Sequence, residues 1–312
     1  MTVAAPVLVT HDPGAQYAGF VLAPPMRPRL IDTAGHWRRP FIVPLRLADR
    51  LSRSYTLDES RAVPIRFFRD GQLASVEPEL WFPLGTDLLG RDVWARLLYG
   101  ARLSLGVASV ATVGALVLGI LIGGIAGVSG GGLDTLLTKL ADVVLALPVI
   151  YVALALRGAL PLVLTTPVLF WTLAGVLALA GWPVVARGVR GIVAGERGQE
   201  YAEAARAMGA GRTRILLRHL LPAAWSFIGV QAALLVPAFI VAEATLSYVG
   251  LGFPPISPSW GVMLKDSSEG RLFVESPWLL TPAIAIAITV LSVNLLGSRR
   301  NTLQITSDHT RK

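Results

Sequence analysis

The sequence predicts an all-α polytopic membrane protein with a small irregular or β-rich module at its N-terminal end. Three observations carry this expectation. Of 312 residues, 53% are hydrophobic and only 15% charged, where an ordinary soluble domain has about a quarter charged. The apolar residues gather in long stretches after residue 100, and mean hydropathy is +0.59. The basic residues, 25 Arg and three Lys, lie beside those stretches, a pattern that encodes orientation in a membrane and argues against a nucleic-acid partner. The chain has no cysteine, which excludes disulfides, thiolate metal sites and a cysteine nucleophile. Its four histidines, at 11, 36, 219 and 309, are too scattered for a metal pair, so no metal is expected.

Residues 1–100 read as a proline-rich extracytoplasmic region. Asp70-Gly71 between two apolar runs is a hairpin signal, and Trp37, Phe41, Phe67, Phe68, Trp81 and Phe82 are candidates for a small core. The region is either a docking surface for a soluble partner or an insertion packed on the helices. A helix needs about 20 apolar residues to cross the hydrocarbon, and five stretches qualify, at about 102–127, 135–156, 164–186, 223–250 and 277–297. Pro148, Pro167, Pro183 and Pro237 allow kinks, and Gly119, Gly123 and Gly127 form a close-packing stripe whose partner the sequence leaves open. This membrane domain, 101–298, is followed by a tail at 299–312.

Segment 187–221 carries seven arginines against three glutamates, and the tail adds Arg299, Arg300, Arg311 and Lys312. Both are expected in the cytoplasm, which places residues 1–100 and the loop 251–276 outside. The stretch 199–208 is rich in helix formers and ends at Gly209 and Gly211. It reads as a short displayed helix with Glu200, Glu203 and Arg206 as charged points and alanines that let a partner approach closely. A second helix is expected from Arg212 to Pro222, its arginines reaching the headgroups.

Glu203-Ala204-Ala205, Gly209 and Leu221-Pro222 resemble the EAA loop of the membrane subunits of bacterial ABC importers, with His219 where that pattern usually has Ile. Leu84-Gly85-Thr86-Asp87-Leu88-Leu89-Gly90-Arg91-Asp92 resembles the approach to the first core helix of dipeptide/oligopeptide/nickel permeases. The stretches 246–252 and 258–264 resemble the external loop before their last span. The resemblance covers about 84–298 and is to the second-type permease subunit. It implies a MetI-like type I importer bundle in the bacterial plasma (inner) membrane, forming half of a peptide pathway. Coupling residues would be Glu200, Glu203, Ala204, Ala205, Gly209, Leu221 and Pro222. The partners it implies are a second, related permease, one or two ATPase subunits, an extracytoplasmic binding protein and membrane lipid. No P-loop occurs, so ATP and Mg are expected on the partner subunits and no cofactor on this chain. The family normally has six spans, so a further span is expected upstream of Met1.

Asp142 and Glu243 lie in expected spans, where ionisable groups are costly. In an ion-coupled secondary transporter, the alternative reading, they would be proton or sodium ligands. That class should also show two related halves, and no internal repeat is visible. An intramembrane enzyme would need a catalytic constellation that these two carboxylates alone do not make.

Overall fold

The computed structural model describes residues 8–9, 11–32, 35–49, 53–69, 72–76, 78–159, 161, 164–268 and 272–309. The chain divides into two compact units, one formed by residues 1–104 with 247–286 and the other by 105–246 with 287–312.

The first unit opens with short antiparallel strands. Strand β1 (Arg29–Ile31) pairs with β2 (Trp37–Ile42), which also pairs with β5 (Val63–Pro64). Strands β3 (Leu45–Asp49) and β4 (Ser54–Leu57) form one ribbon, β6 (Arg66–Arg69) and β7 (Gln72–Ser75) another. Arg69 lies opposite Gln72, the register that a two-residue turn requires; the expected turn residues Asp70 and Gly71 lie outside the described residues. Met26, Ile42, Ile65, Val76 and Phe82 form the core, with Tyr17, Phe20 and Trp81 packed against it. The expected core is therefore corrected. Phe41 and Phe82 are buried, but Trp37, Phe67 and Phe68 are exposed. Phe67 and Phe68 lie on a ribbon that, among the described residues, pairs with no third strand, and Phe68 adopts a positive φ of 56°.

Long apolar helices follow: α1 (Val93–Ser129), α2 (Gly131–Ala146), α3 (Val149–Ala159) and α4 (Thr166–Glu196). After the short α5 (Glu200–Ala207) and α6 (Arg212–Ile215) come α7 (Trp225–Val249), α8 (Trp260–Asp266), α9 (Leu272–Glu275) and α10 (Thr281–His309). Among the described residues, four helical stretches are long and apolar enough to cross a membrane: 93–129, 166–196, 212–249 and 277–297. The expected span at 135–156 is not one straight helix. It is broken at Leu147-Pro148 and bent by 82° between α2 and α3, because proline removes a backbone donor and disfavours helix in the residue before it.

Taken together, α2 and α3 are long and apolar enough for one bent span. Their 27 helical residues have a contour of about 40 Å and project about 30 Å when the bend is shared equally about the normal, about the thickness of the hydrocarbon.

In the second unit α1 and α4 touch backbone to backbone. A Cβ at Gly119 would lie 2.5 Å from Val185 Cβ, at Gly123 2.3 Å from Ala186 O, and at Gly127 2.8 Å from Val193 Cβ. The glycine stripe therefore packs within the subunit. Helix α7 docks on α4 through Phe239 against Gly181 and Phe227 against Gly188.

Candidate functional site

The loop between α4 and α7 presents α5 as a short, well-bounded helix. Glu200 and Glu203 occupy its first turn and Arg206 its last, each complementing the helix dipole. Its stop is a Schellman motif. Gly209 sits at φ +84°, its N–H bonds Arg206 O at 2.9 Å, and Ala210 N–H bonds Ala205 O at 3.0 Å. Tyr201 Oη donates to Glu196 at 2.6 Å; that acceptor favours the protonated phenol and pushes Tyr201 up to about 12. Arg206 Nη2 donates to the Arg197 carbonyl at 2.7 Å, fastening the end of α5 to the C-cap of α4.

The outward face carries Glu200, Glu203, Ala204 and Arg206, while Ala202 and Ala205 are buried within the chain. Of the alanines expected at a partner contact, Ala205 therefore faces inward, since a three-residue step returns it to the face of Ala202. The expected second helix does not end at Pro222. Residues 216–220 form a π turn and 221–224 a 3₁₀ turn that lead directly into α7. Pro222 has no N–H for the Arg218 carbonyl, so the ladder shifts register there instead of breaking. Leu221 is buried and Pro222 exposed.

Asp142 is not an isolated charge within a span. Its Oδ1 accepts from Arg187 Nη2 at 2.6 Å, and both side chains are more than half exposed. Glu243, by contrast, is wholly enclosed on α7. The two carboxylates occupy different environments and do not form one enclosed ion site.

The segment 84–92 builds a clamp in the first unit. Gly85 and Gly90 adopt φ of +72° and +71°, and any Cβ there would lie within 2.5 Å of the Ala23 and Tyr17 carbonyl oxygens. Asp87 Oδ1 accepts from the N–H groups of Leu89 and Arg91, each at 2.9 Å, and Oδ2 from Arg91 Nε at 2.6 Å. Arg91 also donates to Pro255 O at 3.2 Å and, with Arg96, to Asp266 Oδ2. Burial raises the Asp266 carboxyl above its ordinary range despite both arginines. Asp92 accepts from Trp94 N–H at 2.9 Å at the start of α1 and pairs with His11 at 3.0 Å. Thr86 is buried, bonding Ala23 N–H at 2.8 Å, while Trp278 Nε1 donates to its carbonyl at 3.0 Å. These residues serve to hold the chain segments together. Sequence reasoning missed Arg96 and Asp266, whose partners lie about 170 residues away.

Several long apolar helices with a short charged helix displayed between two of them are the architecture of a polytopic membrane protein. Residues 119–304 match the family described as the binding-protein-dependent transport system inner membrane component, and the chain belongs to it. It is 38% identical over 218 residues to the oligopeptide transport system permease protein OppC of Bacillus subtilis (strain 168), covering 70% of this chain and 68% of that protein. It is also 38% identical over 228 residues to the dipeptide transport system permease protein DppC of Alkalihalophilus pseudofirmus, covering 72% and 71%. An inward-facing structure of the MetNI methionine ABC transporter shares the fold at 20% identity and a TM-score of 0.51, over 66% of this chain and 94% of the other. The chain is thus a multi-pass inner-membrane permease subunit.

Proposed function

We propose that this chain forms half of the pathway of an ATP-driven importer for di- or oligopeptides, with α5 seated on a separate ATPase subunit. One observation carries the reading: α5 is a charged helix tied to the end of α4 in its first turn by Tyr201 on Glu196 and in its last by Arg206 on Arg197, with Glu200, Glu203 and Ala204 exposed. A helix so fixed moves with its spans instead of bending. Glu200, Glu203, Ala204 and Gly209 form the contact, with Ala205 facing inward beneath it and Leu221 and Pro222 at the turn that joins the loop to α7. The relatives named for oligopeptides and dipeptides support peptides as cargo.

In this reading the loop 196–222 and the tail 299–312 are cytoplasmic, and 1–100 is extracytoplasmic beside the loop 251–276. The Arg91–Asp266 pair supports a shared face for those last two segments. The membrane domain spans 101–298. A second, related permease completes the pathway, an external binding protein delivers cargo, and ATP and Mg reside on the ATPase subunits. Asp142 in an exposed ion pair disfavours the ion-coupled alternative. The test is a Glu203→Cys variant, clean because the chain has no cysteine, probed for cross-linking to the ATPase during uptake in proteoliposomes. Cross-linking with ATP-dependent peptide uptake is expected. Uptake driven by an ion gradient without ATP refutes the reading.

A further inference from the structure

Helix α2 is attached to the rest of its unit quite differently from α1. The α1–α4 pair is closed by backbone contact along the glycine stripe. Between α2 and that pair lies a cavity of about 210 Å³, lined by Ile122, Gly123, Leu137, Ala141, Arg187 and Arg190 among others. Ala141 and Val144 of α2 pack against Trp182, Ala186, Leu118 and Ile122. Its outer residues Leu133, Leu136, Leu140 and Val143 are exposed, and the 82° bend after Ala146 separates it from α3. Two ion pairs across the cavity set its position on α4. Asp142 meets Arg187 at 2.6 Å, and Asp134 receives Arg190 in a fork, Nε to Oδ1 at 2.9 Å and Nη2 to Oδ2 at 2.6 Å. The forked geometry fixes orientation as well as distance.

The same arginine-bearing face continues to α5. Arg197 Nη1 donates to the Val128 carbonyl at 3.2 Å, where α1 gives way to α2. Gly130, at φ +64°, leaves room for that guanidinium: a Cβ there would lie 2.6 Å from Arg197 Nη1. The Arg197 carbonyl in turn accepts from Arg206 at the last turn of α5. Hydrogen bonds therefore run from α5 through Arg206 and Arg197 to the α1–α2 junction, and Arg190 and Arg187, two turns and three turns earlier on the same helix α4, hold Asp134 and Asp142 of α2.

We infer that Arg187, Arg190 and Arg197 are positioning residues that transmit movement of α5 to the broken span α2–α3. This rests on the reading of α5 as the ATPase-contacting helix. A span held by directional ion pairs over a cavity shifts as a body when the arginines move. The glycine-closed α1–α4 pair has no such freedom, because interpenetrating backbones cannot slide without parting.

The experiment uses the assembled importer in proteoliposomes and measures peptide imported per ATP hydrolysed. The variants are Arg190→Ala, Asp134→Ala and the exchanged pair Asp134→Arg with Arg190→Asp, each carrying Ala207→Cys as the cross-linking probe, an exposed α5 position beside the proposed contact. Single variants are expected to keep the ATPase cross-link and ATP hydrolysis while import per ATP falls about fivefold to tenfold, within the range of pair coupling. The exchanged pair is expected to recover at least half of it. Unchanged import per ATP in the singles, or no recovery in the exchanged pair, overturns the inference. Loss of the cross-link in the parent protein instead overturns the reading of α5, and this inference with it.

Discussion

Replacing Gly123 by Ala tests the α1–α4 contact directly. The added Cβ would lie 2.3 Å from the Ala186 carbonyl oxygen and 2.9 Å from that residue's C and Cα. The obstacle is backbone in a helix, so no side chain can swing aside, and the two helices must part by about 1 Å to restore ordinary contact. Parting them loosens a seam in which Val185, Ala186, Val189 and Val193 are all buried. Overpacking of this kind costs about 3 kcal/mol, the upper end of its usual range, because nothing flexible yields. Against this stands a gain of about 1 kcal/mol for Ala over Gly in a helix. The net is a loss of about 2 kcal/mol. Gly175 on α4 supplies the contrast, since a Cβ there meets nothing within 4 Å. Gly175→Ala should therefore gain up to about 1 kcal/mol from the same chemistry. Melting temperatures of the two variants in detergent should differ by roughly 6–12 °C, at about 2–4 °C per kcal/mol. Gly123→Ala melting at or above the parent, or both variants shifting in the same direction, refutes the reasoning.

Gly209→Val should cost about 1–2 kcal/mol locally, because a β-branched residue is forced to φ +84°, and ATP hydrolysis should continue while uptake falls; equal transport by the variant contradicts the role of the helix stop. Asp87→Ala leaves Arg91 and Arg96 buried with less compensation and should cost about 3–5 kcal/mol, read as less protein in the membrane and faster amide exchange at 255–266. Asp142→Asn breaks an exposed pair, so stability should change by no more than about 1 kcal/mol although import per ATP falls. Because burial raises Asp266, its contribution to stability is full below the ordinary carboxylate value and is lost as pH rises through the higher folded one. Asp266→Asn should flatten the stability profile across that window, measured by thermal melting against pH.

The spans and the displayed helix were legible in the residues because their causes are local. Twenty apolar residues in a row have few places to go but a bilayer, and Gly209 behind Glu203-Ala204-Ala205 stops a helix through its own backbone freedom. Other features required partners remote in sequence. Which of Ala204 and Ala205 faces outward depends on what α5 packs against. The glycine stripe at 119, 123 and 127 announces close approach but not its target; Val185, Ala186 and Val193 are that target only once α4 lies alongside. Trp37, Phe67 and Phe68 are as apolar as Phe82, yet only Phe82 finds a second layer. The clamp shows the limit most plainly. Asp87 and Arg91 are near neighbours, but Asp266 joins them from 175 residues beyond Arg91. Hydropathy reports the exchange of a side chain with solvent, summed over a window, whereas an ion pair depends on two atoms meeting within about 3 Å, which only the folded path of the chain determines.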